Sequence, residues 1–229
     1  MINIAAPVID SEERRAVNEV IESGMLAQGP KVAELEKNWA EYCGVKHALA
    51  VNSGTAAIHC ALYAAGVKEG DEVITTPYSF IATINPILML GARPVLVDID
   101  EETFNIDVSK IEAAITEKTK AIVPVDLYGQ PCDWAELQEI AKKHNLKIVE
   151  DACQAVGAEY KGIKAGALGD FGCFSLYATK NIMCGEGGIV TTNSDEAAAA
   201  IRSFRQHGMV APYEYADLGY NYRMSDLHG

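Results

Sequence analysis

The chain has 229 residues, 49% hydrophobic and 22% charged, enough to bury a full core without disulfide or metal staples. Its 19 basic against 32 acidic residues leave a formal net charge of −13 with no cluster of Lys or Arg, which sets aside nucleic acid and anionic membrane as partners. Six cysteines (Cys43, Cys60, Cys132, Cys153, Cys173 and Cys184) lack metal-ligand or redox spacing, no leader opens the chain and no apolar run reaches membrane-spanning length, so the expectation is a cytoplasmic protein with buried free thiols.

Helical periodicity runs over 12–22, with Ser11 as its N-cap, and over 31–42, opened by Gly29-Pro30. An alternation then begins: strands over 48–51, 72–75, 94–97, 121–125 and 147–149, separated by helices over 55–65, 80–90, 108–115 and 134–144. Residues 157–172 are rich in Gly and Lys and read as turns around a short hairpin, followed by strands over 172–176 and 188–191 and a helix over 195–204. Short apolar strands alternating with helices predict an α/β three-layer sandwich around a mainly parallel sheet, with its site at the carboxyl ends of the strands. Neither an internal repeat nor a linker divides the chain, which reads as one domain, 1–229, with an N-terminal helical segment over about 1–45. Ser225-Asp226 looks like a helix start within a turn of the last residue, an element able to bury almost nothing, and suggests a truncated protein.

The chemistry gathers at strand ends. Lys180 follows Phe174-Ser175-Leu176-Tyr177-Ala178-Thr179 and precedes Gly185-Glu186-Gly187-Gly188; a lysine between an apolar strand and a glycine turn suits the Schiff-base attachment of pyridoxal phosphate. Asp151 ends an apolar strand, where a carboxylate needs a partner: either a protonated pyridine nitrogen or, as an N-cap, the turn at Ala152. Asn52-Ser53-Gly54-Thr55 opens a helix whose backbone N–H groups suit a phosphate, or are simply capped.

SGTAA at 53–57, TPYSFIAT at 76–83, EDACQAVGA at 150–158, FSLYATKN at 174–181, GEGG at 185–188 and GYNYRMSD at 219–226 resemble, in order, the motifs of the DegT/DnrJ/EryC1/StrS aminotransferases. The resemblance extends from Ile4 to the last residue and implies the large domain of the aspartate aminotransferase fold (fold type I), with the C-terminal small domain absent. By position it implies Lys180 as the Schiff-base lysine, Asp151 as the partner of the pyridine nitrogen and Gln154 near the ring hydroxyl. It further implies that Gly54, Thr55 and Ser175 hold the phosphate, that Phe80 stacks on the ring, and that Asn221 reaches the phosphate in the other subunit of a homodimer.

Dehydratase members carry His where this chain has Lys180, so the resemblance implies transamination: an amino group passes from an amino acid, L-glutamate, to a nucleotide-linked keto-sugar in amino-sugar and polysaccharide biosynthesis. The competing expectation is a chain that binds pyridoxal phosphate but is catalytically incomplete, as a fragment or as a subunit of a split enzyme. A nicotinamide dehydrogenase is excluded, because Val190 stands where the third glycine of a dinucleotide fingerprint would fall and the run lies late in the chain. Tyr213, Tyr215, Tyr220, Tyr222 and His207 receive no role.

Overall fold

A computed structural model describes residues 5–229. Helix α1 (Ser11–Ser23) starts one residue earlier than the sequence suggests: Asp10, not Ser11, is the N-cap, accepting from Glu12 N while Glu13 accepts from Asp10 N in a capping box. Then follow α2 (Pro30–Cys43), β1 (His47–Val51), α3 (Gly54–Ala64) and β2 (Glu72–Thr75).

The helix expected over 80–90 is broken into a 3₁₀ turn (Ile81–Thr83) and a short α4 (Asn85–Met89), because Pro86 brings no N–H and cannot sit inside a continuous ladder. After β3 (Arg93–Leu96), α5 (Val108–Ile111) tightens into a 3₁₀ turn at Glu112–Ala114, and β4 spans Thr119–Ile122 where 121–125 was expected. Helix α6 (Trp134–His144), β5 (Lys147–Asp151), the hairpin β6 (Glu159–Tyr160) and β7 (Ile163–Lys164), and strands β8 (Phe171–Ser175) and β9 (Gly188–Thr192) come next. Helix α7 (Asp195–Phe204) and a second hairpin, β10 (Met209–Ala211) with β11 (Glu214–Tyr215), complete the elements.

Seven strands form one sheet in the order β1-β9-β8-β5-β4-β2-β3, all parallel except β9, which runs against both its neighbours. The period-2 alternation of side chains divides the core. Leu49, Val149, Cys173 and Val190 face α3, α4 and α7, whereas Ile148 faces α5 and α6, and Ala50, Phe174 and Ile189 face α2. Helix α3 is buried on nearly every side, from Ala56 to Leu62, since α7 covers the face that the sheet leaves open. Burial of a side chain such as Ile58 or Leu62 contributes on the order of 1.5–3 kcal/mol.

The segment 225–226 does bury side chains, and Ser225 O accepts from His228 N (3.0 Å) and Gly229 N (3.3 Å) in a single turn. Asp226 is 2% exposed, and its carboxylate accepts from Gly29 N (2.9 Å), Lys31 N (3.1 Å) and Val32 N (2.9 Å), so it caps α2 from a distance. Three orphan donors at a helix N-terminus, where the dipole favours negative charge, explain why an acidic residue is held there. Met224 beside it is buried against the α2 layer.

Candidate active site

The parallel strands carry their carboxyl ends to one edge of the sheet, where the register sets Val51, Gly188 and Ser175 side by side. From Val51 the chain turns into α3. Ser53 caps this helix by accepting from Ala56 N (3.1 Å), and the amides of Gly54 and Thr55 in its first turn find no acceptor among the described residues. A methyl group at Gly54 would lie 2.9 Å from Ser175 Cβ and 3.1 Å from Cys153 Sγ. One at Gly188 would lie 2.3 Å from Ser53 O. Both glycines are therefore required by close approach: they let the open end of α3 settle against Ser175, whose Oγ accepts from Tyr177 N at 3.3 Å.

Asp151 ends β5 on the same edge and is buried. Thr83 Oγ1 donates to its Oδ2 at 2.7 Å and Cys153 N donates to its Oδ1 at 3.2 Å; Ser79 Oγ lies 2.8 Å from Thr83 Oγ1. The 3₁₀ turn thus serves to bring Thr83, itself buried, onto the carboxylate. Thr83 received no role from sequence, and its only signal there was a place three residues after Phe80 in the TPYSFIAT run. Cys153 is a second such residue: its amide orients Asp151, its sulfur touches the Gly54 turn, and Lys180 is near enough to pull its thiol pKa down. Burial outweighs that pull and, with the Asp151 charge, holds the thiol well above its ordinary pKa, which keeps it a neutral packing group.

Lys180 lies on a short excursion between β8 and β9. Its amide donates to Tyr177 O (2.9 Å), and Ala178 N donates to the carbonyl of Gly185, a left-handed residue at φ 91°. Its side chain is half-buried and forms no ion pair among the described residues. It borders a cleft of about 560 Å³ together with Gln154, Thr179, Asn181 and Tyr128. Gln154 Oε1 accepts from Tyr128 N (3.1 Å), which fixes the amide and leaves its Nε2 as a donor for the cleft.

Two candidates stand apart from these contacts. Phe80 is 71% exposed at the start of the 3₁₀ turn. Asn221 joins the edge through its backbone, accepting from Asn52 Nδ2 (3.3 Å), while its own side chain is exposed and makes no hydrogen bond among the described residues.

Beneath the edge, Glu150 points to the opposite face from Asp151 and accepts from Gly166 N (2.8 Å) and Leu168 N (3.3 Å). Asp126 Oδ1 accepts from Cys132 N (2.9 Å) and Trp134 Nε1 (3.2 Å), but its buried Oδ2 receives no donor. Burial lifts Asp126 to about 6, and burial together with Asp126 lifts Glu150 well above the carboxylate range. Glu150 is thereby kept neutral beside Asp126.

Residues 7–229 match the DegT/DnrJ/EryC1/StrS aminotransferase family. The chain belongs to that family. It is 48% identical to the GDP-perosamine synthase of Caulobacter vibrioides, over 99% of this chain and 62% of that protein. Among solved structures it resembles S. venezuelae DesV in complex with a ketimine intermediate, with a TM-score of 0.92, 40% identity, and 95% of this chain and 59% of DesV covered. It also resembles the PLP form of the putative sugar aminotransferase Spr1654 of Streptococcus pneumoniae, with a TM-score of 0.93, 33% identity, and 99% of this chain and 64% of that one covered. The chain therefore spans about 60% of the length of these DegT/DnrJ/EryC1/StrS relatives. The fold is that of the PLP-dependent aminotransferases.

Aminotransferases of this family use pyridoxal 5′-phosphate, and the residues at the sheet edge fit that group. Two open amides and a hydroxyl around a glycine cradle suit a phosphate, and a buried carboxylate with both oxygens oriented suits a protonated ring nitrogen. A primary amine in the adjoining cleft completes the set.

Proposed function

We propose that this chain carries the cofactor site of an aminotransferase that moves an amino group from L-glutamate to a nucleotide-linked keto-sugar. The observation that carries the reading is the meeting of Gly54, Ser175, Cys153 and Asp151 at one sheet edge, within reach of Lys180, in a chain of this family. The amides of Gly54 and Thr55 and the Ser175 hydroxyl would hold the phosphate at the α3 N-terminus, where the dipole adds to their hydrogen bonds. Asp151 would hold a proton on the ring nitrogen, Gln154 Nε2 would donate to the ring hydroxyl, and Phe80 would cover the ring face. Asn221 would reach the phosphate of a second copy of the chain in a homodimer.

Pyridoxal phosphate, when bound, supplies an electron sink that lets the proton on an amino acid's Cα leave and a nitrogen be carried from donor to acceptor. Lys180 Nζ anchors it, then takes that proton and returns it, acting as base and then acid. Thr83 and the Cys153 amide hold Asp151 in place throughout, so the charge opposite the ring nitrogen needs no rearrangement during transfer. Six free cysteines among the described residues suit a reducing compartment, and the reaction belongs in the cytoplasm. No described helix is long and apolar enough to cross a membrane.

The chain's span of 62% of the GDP-perosamine synthase favours a second reading, in which it binds the cofactor but turns over only with a further segment. Visible absorption with added pyridoxal phosphate, before and after L-glutamate, tests both. A band that requires Lys180 and is bleached by glutamate supports transamination, while a band that glutamate leaves unchanged supports the second reading. An unaltered, glutamate-sensitive band in Lys180→Ala overturns the assignment of Lys180.

A further inference from the structure

A row of three partly or largely exposed aromatic side chains leads away from the Lys180 cleft. Tyr128, 71% exposed, lines the cleft itself; its hydroxyl lies 3.4 Å from that of Tyr78, whose ring is centred 5.9 Å from that of Phe104. Tyr128 and Phe104 have φ of 55° and 60°, left-handed values that bulky residues seldom adopt. Such conformations persist where the surroundings over-determine them, and they gather at binding sites.

Here the restraint is visible. Buried Asn105 receives Leu127 N at its Oδ1 (3.1 Å) and donates through Nδ2 to Gln130 O (2.8 Å), while Gln154 accepts from Tyr128 N. One amide from each side thus clamps the turn at 127–130, and the residue after Phe104 is itself part of the clamp. The fold spends backbone strain on presenting rings to solvent rather than burying them.

Building on the function proposed above, we propose that Tyr128 and Tyr78 form the platform on which the sugar ring of the nucleotide-linked substrate rests. Position comes first: a group touching Tyr128 lies in the same cleft as Lys180 and so belongs to the reacting end of the substrate. Charge comes second: among the described residues lining that cleft no second cation stands beside Lys180 to hold a diphosphate, whereas Gln154, Thr179 and Asn181 suit the hydroxyls of a neutral ring. Chemistry comes third, because a hexose has an apolar C–H face and a hydroxyl rim, and paired phenols offer a matching apolar face and hydroxyl edge. Phe104 extends the apolar side of the platform.

The test is calorimetric binding to the chain loaded with pyridoxal phosphate, using GDP-mannose, UDP-N-acetylglucosamine and dTDP-glucose, each beside its parent nucleoside diphosphate. The variants are Tyr128→Gly, which removes the ring and suits the observed φ, and Tyr78→Phe, which removes only a hydroxyl. Tyr128→Gly is expected to weaken the tightest sugar nucleotide at least tenfold and its parent diphosphate less than twofold; Tyr78→Phe is expected to weaken the sugar nucleotide about threefold. Equal loss for the sugar nucleotide and its parent would assign the rings to the nucleobase and overturn the proposal, as would no loss for either. Failure of the wild type to bind any sugar nucleotide would instead overturn the sugar-aminotransferase reading, and this proposal with it.

Discussion

Gly188→Ala joins the fold and the site in one perturbation. The added methyl would lie 2.3 Å from Ser53 O, 2.5 Å from Ser53 C and 2.9 Å from Gly54 N. Ordinary contact begins near 3.4 Å, so the Ser53-Gly54 peptide must retreat by about 1 Å or β9 must shift. Gly188 cannot yield easily, because its neighbours Val51 and Ser175 hold it from both sides of the sheet. Overpacking of this kind costs about 1–3 kcal/mol, and a misplacement of about 1 Å in a binding group can weaken its action on the order of a hundredfold. The expectation is a folded variant with a lower urea midpoint and pyridoxal-phosphate affinity reduced at least tenfold in an absorbance titration. An affinity within threefold of wild type, with the midpoint lowered, would show that the α3 N-terminus does not hold the phosphate.

Thr83→Val removes the donor to Asp151 Oδ2 without changing shape; it should cost about 1.5–3 kcal/mol, as for a hydrogen bond to a charged group, and weaken pyridoxal phosphate in the same titration. Asp226→Ala strips three amides of their acceptor and should lower stability by about 3 kcal/mol, with Asp226→Asn milder, read in urea by the fluorescence of Trp39 on α2. The raised Asp126 gives a pH dependence of definite sign. The stability that its bound proton contributes is complete below its ordinary value of 3.8 and is lost as pH rises through about 6. Asp100, Asp107, Glu112 and Asp195, held below their ordinary values chiefly by hydrogen bonds, act oppositely and lose their contribution as pH falls below the carboxylate range. Melting temperature should therefore decline as pH rises from the carboxylate range toward pH 8, less steeply in Asp126→Asn; parallel profiles would contradict a raised Asp126.

Local patterning carried much of this far. Glu72–Thr75, Trp134–His144 and Asp195–Phe204 are the segments that periodicity and helix signals delimit, since burial on a sheet or beneath a helix is written in the spacing of apolar residues. The family motifs named Gly54, Ser175 and Asp151, which meet at the sheet edge, but not Thr83 or Cys153 beside them. What stayed hidden depends on partners distant in sequence. The capping role of Asp226 shows only once Gly29 and Val32 are seen to donate to it, and Thr83 reads as part of a helix until the 3₁₀ turn sets it on Asp151, 68 residues on. The reversed direction of β9 leaves no trace in its composition, because a strand buried on both faces looks alike in either sense.

The capping of α2 by Asp226 also orders events in time. Gly29 and its acceptor are 197 positions apart, an interval of roughly 10–40 s at ordinary rates of chain synthesis. Throughout that interval the first turn of α2 lacks the carboxylate that completes it. Strand β1, which follows α2, waits as well, because its neighbour in the sheet is the much later β9. Until β9 is made, β1 remains an unpaired strand.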